Sequence, residues 1–174
     1  KDMNDPKVYK QWQDGTSVGI FQFESQGMTN FMKELKPDCL EDIIAGVSLY
    51  RPGPMDQIPR YIANKKDPEH AVYTHERLKP ILNVTYGCMV YQEQVMQIVR
   101  DLAGYSLGRA DLVRRAMGKK KLDVMAKERE IFIHGQVDEN GNVVVPGCVR
   151  NGIDEQSANK IFDEMAEFAK YAFN

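Results

Sequence analysis

Short apolar stripes, spaced by threes and fours and repeatedly cut by capping and breaking residues, constrain this chain more than any other feature. Met28, Phe31, Met32 and Leu35 share one face of a stretch opened by Ser25, which predicts an amphipathic helix over Gln26 to Leu35. Lys36-Pro37 ends it. Asp38 with Glu41 then has the form of a capping box opening a helix from Cys39 to about Tyr50, with Leu40, Ile43, Ile44 and Val47 as its stripe. Arg51-Pro52-Gly53-Pro54 cannot continue a helix, because its prolines lack amide protons and restrict the preceding residues, so it reads as a shaped loop. Further helices are predicted over Met55 to Lys65, His75 to Leu82, Met89 to Ala103, Gly108 to Met117, Leu122 to Gly135 and Glu155 to Tyr171, the last capped by Asp154. The exception is Gln136 to Val149, where Asn140-Gly141 between Val137 and Val143-Val144-Val145 signals a small exposed β-hairpin. The expected fold class is mainly α, multi-helical, with one hairpin near 136–149.

A chain of 174 residues with no repeat, low-complexity stretch or evident linker is expected to form a single domain, 1–174, with a core of its own. No apolar run approaches the roughly 20 residues needed to span a bilayer, so a soluble protein with no membrane partner is expected. The opening Lys1-Asp2-Met3-Asn4-Asp5-Pro6 has no signal-peptide pattern, and its lack of an initial Met suggests a piece of something longer. Cys39, Cys88 and Cys148 are odd in number and far apart, which favours reduced thiols in a cytoplasm over a disulfide framework. His70, His75 and His134 are scattered without ligand spacing, so no metal site is expected. No Asp-x-Asp pair on an apolar strand is present to hold two magnesium ions, and no P-loop motif occurs, so no catalytic residue is expected within the chain.

Charge is unevenly distributed. Arg109, Arg114, Arg115, Lys119, Lys120 and Lys121 face a single anion, Asp111, giving a local +5 in a chain whose formal charge is −2, and hence −7 elsewhere. Arginine offers planar paired donors to phosphate oxygens and lysine a mobile point charge, so a helix end carrying both suits a triphosphate or a nucleic-acid backbone. A solvated basic helix end, favoured by the helix dipole, is the other reading of these residues. Leu112, Val113 and Met117 are expected to anchor this helix. Tyr91-Gln92-Glu93-Gln94, ahead of Val95, Met96, Ile98, Val99 and Leu102, places amides and a phenol at a helix entry, where they can bond a nucleotide or simply neighbouring backbone. Phe21, Phe23 and Glu24 read as packing and capping groups.

Six strings occur in one order: Gly19-Ile20-Phe21-Gln22-Phe23-Glu24-Ser25, Tyr50-Arg51-Pro52-Gly53-Pro54, Thr85-Tyr86-Gly87, Tyr91-Gln92-Glu93-Gln94-Val95-Met96, Arg114-Arg115-Ala116-Met117-Gly118-Lys119-Lys120-Lys121 and Phe168-Ala169-Lys170-Tyr171-Ala172-Phe173-Asn174. Together they resemble the alpha subunit of bacterial DNA polymerase III, the family C replicative polymerases, from about Gly15 to the last residue. The resemblance implies a right-hand polymerase in which palm aspartates, without counterpart here, hold Mg2+ ions, and in which this chain is part of the fingers. Residues 1–18 then fall near a palm–fingers junction. By the same resemblance Arg114, Arg115, Lys119, Lys120 and Lys121 line the nucleotide side and meet the triphosphate, while Arg51, Tyr91, Gln92 and Arg109 are candidate contacts to nucleotide or DNA. Implied partners are a dNTP, template-primer DNA, the palm and thumb of the same polymerase and other replisome subunits, in a bacterial cytoplasm. The excised piece is expected to be inactive. The segment 136–149 resembles an insertion, expected to be lineage-specific and peripheral, and Ala172 stands where glycine is frequent.

Overall fold

A computed structural model describes residues 3–119 and 122–172. The described residues are mainly helical, with nine α-helices and a single two-stranded sheet among them, as the periodicity predicts. Where the sequence shows no linker and suggests one domain, the chain groups into two compact units, Lys1–Glu69 and His70–Asn174.

The first unit holds α1 (Pro6–Asp14), α2 (Gln26–Leu35), α3 (Leu40–Leu49) and α4 (Ile58–Lys66). Helix α1 is absent from the sequence reading, although its ends are marked: the Asp5 side chain accepts from the Lys7 N–H, Pro6 opens the first turn, and Gly15 closes the helix in the left-handed region. Only Tyr9 and Trp12 of α1 are buried, too few to make a stripe. Trp12 meets Phe23 edge to face, with centroids 5.6 Å apart, whereas Phe21 is 83% exposed. Helix α2 agrees with expectation: Ser25 Oγ accepts from the Met28 N–H at 3.3 Å, and Met28, Phe31, Met32 and Leu35 are buried.

Helix α3 corrects two expectations. Its N-cap is Cys39 with no side-chain bond, and Asp38 does not cap it; instead the Asp38 N–H donates to Asp42 Oδ2 at 3.1 Å, and Lys65 Nζ draws the Asp38 carboxylate at 3.4 Å. The buried face carries Ile43, Ala45, Gly46 and Leu49 while Ile44 is exposed. Small residues decide this, because a Cβ at Gly46 would meet Met32 Cε at 2.5 Å, so α3 lies closely against α2 through a side that a hydrophobicity stripe overlooks. The helix expected from Met55 is a 3-10 turn over Pro54–Gln57 followed by α4.

The second unit holds α5 (Lys79–Leu82), α6 (Gln92–Ala103), α7 (Leu107–Gly118), α8 (Leu122–His134), strands β1 (Gln136–Val137) and β2 (Val143–Val145), and α9 (Glu155–Ala172). The expected His75–Leu82 helix divides into a 3-10 turn over Glu76–Leu78 and the single turn of α5. Val95, Ile98, Val99 and Leu102 of α6 join Val113 and Met117 of α7, Phe132 and Ile133 of α8 and Ile161, Phe162 and Met165 of α9 in one core. Each such large side chain stabilises by roughly 1.5–3 kcal/mol on burial. Leu112, expected as an anchor of α7, is 59% exposed instead, because Val113 and Met117 already supply the face that meets the core. Asp154 caps α9 as predicted, its Oδ2 accepting from the Ser157 N–H at 2.9 Å.

The hairpin pairs Gln136 with Val145 and Val137 with Val143, antiparallel. Its tip is built on Asp138, whose carboxylate accepts from the N–H groups of Asn140 and Asn142 at 2.9 and 2.8 Å. The tip is exposed, but the segment after β2 is not peripheral: the N–H groups of Gly147, Cys148 and Val149 donate to the carbonyls of Ala103, Phe132 and Ile133 at 2.9, 2.8 and 3.0 Å. These carbonyls belong to the last turns of α6 and α8, which have no acceptor role within their own helices. No helix among the described residues is long and apolar enough to cross a membrane.

Candidate functional site

Helix α7 carries the cations. Ser106 opens it, Oγ accepting from the Arg109 N–H at 3.2 Å, and Ala110, Val113 and Met117 turn inward. That inward set leaves Asp111, Arg114 and Arg115 on the remaining surface at i, i+3 and i+4.

One carboxylate holds both arginines. Asp111 Oδ1 accepts from Arg114 Nε and Nη2 at 3.1 and 2.6 Å, and its Oδ2 lies 2.8 Å from Arg115 Nη2. The hydrogen bond from Arg114 is the main reason the Asp111 carboxyl sits below its ordinary value; desolvation opposes it, and the charges of Arg115 and Arg114 add to the lowering. Arg114 also reaches α6, where its Nη1 donates to Gln92 Oε1 at 2.9 Å. The side chains of Arg114 and Arg115 are 25% and 65% exposed, so the first is a strut between two helices and the second extends toward solvent. Lys119, one turn further on, is exposed at the helix C-cap. Lys120 and Lys121 lie outside the described residues.

Arg109 points elsewhere. Its Nη2 donates to Glu128 Oε1 of α8 at 2.6 Å, and its guanidinium lies 5.4 Å from the centre of the Tyr105 ring. Tyr105 Oη donates to Glu128 Oε2 at 3.3 Å, and burial, then the Glu128 charge, push the phenol upward. Glu128 is buried, and this pairing compensates its carboxylate.

The Tyr91–Gln94 turn divides its amides. Gln94 is buried, its Oε1 accepting from the N–H groups of Val90 and Tyr91 at 2.8 and 3.0 Å while its Nε2 donates to Thr85 Oγ1 at 2.8 Å. Thr85 Oγ1 in turn donates to the Cys88 carbonyl at 2.6 Å. This network starts α6 at Gln92 rather than at Met89 as expected. In the first unit Arg51 is exposed in its loop, where Gly53 takes a φ of 98° and the Met55 N–H donates to the Arg51 carbonyl at 3.1 Å.

Asp38, Cys39 and Asp42 also bring three ligand atoms within 4.8 Å. Lys65 Nζ stands 3.0 Å from Asp42 Oδ2 and 3.4 Å from Asp38 Oδ1, so an ammonium already fills the cation position. Burial lifts the Cys39 thiol to about 11, which disfavours the thiolate a metal would need. Two pairing partners of the α7 arginines have no role assigned from the sequence: Asp111, counted there only as the lone anion of the run, and Glu128. The spacing of Asp111 to Arg114 and Arg115 is a local signal that could have found the first, whereas Glu128 lies 19 residues from Arg109 with no such signal.

Fold and site thus define a mainly helical chain with an arginine pair tethered to one carboxylate on one helix. The model of the bacterial DNA polymerase III alpha subunit finger domain matches residues 1–140, and the chain belongs to that family. It is 49% identical over 171 residues to the DNA polymerase III subunit alpha of Rickettsia bellii, 48% over 177 residues to that of Thermus aquaticus, and 49% over 175 residues to that of Chlamydia muridarum. These matches cover 98–99% of this chain and 13–14% of each relative, so the chain spans about one seventh of their length.

Proposed function

We propose that this chain is the fingers portion of a DNA-directed DNA polymerase and that the cations at the end of α7 bind the triphosphate of the incoming dNTP. The observation that carries this reading is the pair of guanidinium groups held on one carboxylate, with Arg115 65% exposed beyond it. A guanidinium oriented from one side meets phosphate oxygens through the rest of its fork, and Lys119, four residues on, adds a mobile charge. Lys120 and Lys121 continue the run in sequence. In nucleotide addition the primer 3′-hydroxyl attacks the α-phosphorus and pyrophosphate departs, and cations beside the β- and γ-phosphates stabilise the charge that accumulates there.

Magnesium chemistry in such a reaction would be supplied from outside this chain. The described residues do not fit a two-metal centre, since the one grouping of ligands, Asp38, Cys39 and Asp42, includes a thiol and is occupied by the Lys65 ammonium. The chain alone is accordingly proposed to be inactive. Its partners are the dNTP, template-primer DNA, the rest of the polymerase and other replisome subunits, in the bacterial cytoplasm.

The test is Arg115→Ala in the full-length subunit. Losing a charge-assisted hydrogen bond should raise the dNTP KM about 10- to 100-fold, leaving DNA affinity and its salt dependence in place. An unchanged KM with weaker DNA binding and a salt slope reduced by about 1 would move the cations to the template-primer backbone.

A further inference from the structure

We infer that Asp111 is a positioning residue for the nucleotide site, fixing Arg115 in the orientation in which it meets phosphate; this rests on the triphosphate reading of α7. An acidic side chain in a cationic site would ordinarily oppose anion binding, since it cancels one positive charge. The geometry gives this carboxylate another task. Both its oxygens are engaged, Oδ1 by Nε and Nη2 of Arg114 and Oδ2 by Nη2 of Arg115. Arg114 is itself held by Gln92 Oε1, 22 residues earlier on α6, so Asp111 is fixed from two helices rather than one. Its own rotamer is thereby restricted, and a restricted carboxylate restricts Arg115 in turn.

Arg115 is the member of the trio with solvent around it, 65% exposed against 25% for Arg114 and 29% for Asp111. A long exposed arginine loses much rotamer freedom when it clamps a phosphate, and a tether at one nitrogen removes part of that loss before the ligand arrives. The arrangement therefore assigns separate tasks along one relay. Gln92 and Arg114 anchor, Asp111 orients, and Arg115 receives.

Charge cancellation and positioning predict opposite signs, which makes the inference testable in the full-length polymerase subunit. Asp111→Asn removes the negative charge and one acceptor oxygen. Positioning predicts a dNTP KM raised about 2- to 5-fold, the range of an exposed ion pair, with DNA affinity unaltered. Asp111→Glu, which keeps two acceptor oxygens, should stay within about 2-fold of the parent. In an Arg115→Ala background the Asp111→Asn effect should vanish, because the residue acts through Arg115. A KM that falls in Asp111→Asn would show the carboxylate to be a competitor of the phosphates and overturn the inference. So would a rise of the same size in both backgrounds, which is the signature of a merely structural role. An unchanged KM in Arg115→Ala alone would overturn the triphosphate reading and the positioning role with it, whereas failure of the Asp111 arm alone leaves that reading intact.

Discussion

Gln92 and Gln94 lie two positions apart and answer to different demands. Gln94 is buried with its carbonyl oxygen shared by two backbone N–H groups and its amide given to Thr85, so Gln94→Ala leaves several buried polar groups without a partner. That truncation should cost about 2–3 kcal/mol in urea unfolding of this chain, whereas Gln92→Ala, at a partly exposed position, should cost under about 1 kcal/mol. Equal losses would mean that the turn before α6 is not held by Gln94. Gly108 offers the reverse case: it sits in the first turn of α7 with open space where a Cβ would stand. Gly108→Ala should therefore raise stability by a few tenths to about 1 kcal/mol, read from the same unfolding curves. Of the candidate site, the cluster of cations was legible because charges count themselves in a sequence. The division between Arg114 as strut and Arg115 as exposed donor was not, because it depends on Gln92, a full helix away in sequence. The Arg109–Glu128 pair was hidden for the same reason, since helix packing rather than local spacing brings α8 to α7.

At the scale of elements, the hairpin joins two behaviours in one segment. The Asn-Gly turn and flanking valines made its strands legible, but its root was not, because that root is specified by backbone contacts. Gly135 and Gly147 both have φ of +86°; a Cβ on Gly135 would meet the carbonyl oxygens of Val145 and Pro146 at 2.4 Å, and one on Gly147 would meet the Gly135 nitrogen at 2.4 Å. No L side chain fits there without moving the chain that closes α6 and α8. Gly135→Ala and Gly147→Ala should each cost at least about 2 kcal/mol, while Asp138→Ala at the exposed tip should cost under about 1 kcal/mol. Thermal unfolding of the three variants decides it; a tip variant as damaging as the root variants would mean that the turn, not the glycine contact, holds the segment. Helix α2 was fully legible because its cap and apolar face agree, and α1 was missed because its two buried aromatics make no period. The face of α3 was misread because close approach through Ala45 and Gly46 leaves no hydrophobic signal.

For the molecule as a whole, local titrations add into a stability profile with two limbs. Asp111 is held below its ordinary value of 3.8 chiefly by the Arg114 hydrogen bond, Asp138 by Asn142, and Asp154 by the Ser157 N–H. A carboxyl lowered on folding contributes stability that is present above 3.8 and is lost as pH falls through its folded value, so these groups shape only the acid limb. The alkaline limb comes from protons that burial retains. The Cys148 thiol, fully buried, is pushed from 9.0 up to about 12 by burial, against the opposing charge of Arg77. Between those values the unfolded chain releases a proton that the folded chain keeps, so stability is intact below pH 9.0 and declines as pH rises toward 12. At pH 10.5 the thiol alone should account for about 2 kcal/mol of the decline. Cys148→Ala sacrifices packing at neutral pH but has no thiol to ionise. Its loss of unfolding free energy between pH 8.5 and 10.5 should therefore be smaller than the parent's by that amount, measured by urea titration at each pH. Parallel curves for the two proteins would mean that the thiol proton is not retained on folding and that the alkaline limb belongs to other groups, of which Tyr105, raised by burial and by Glu128, is the first to test with Tyr105→Phe.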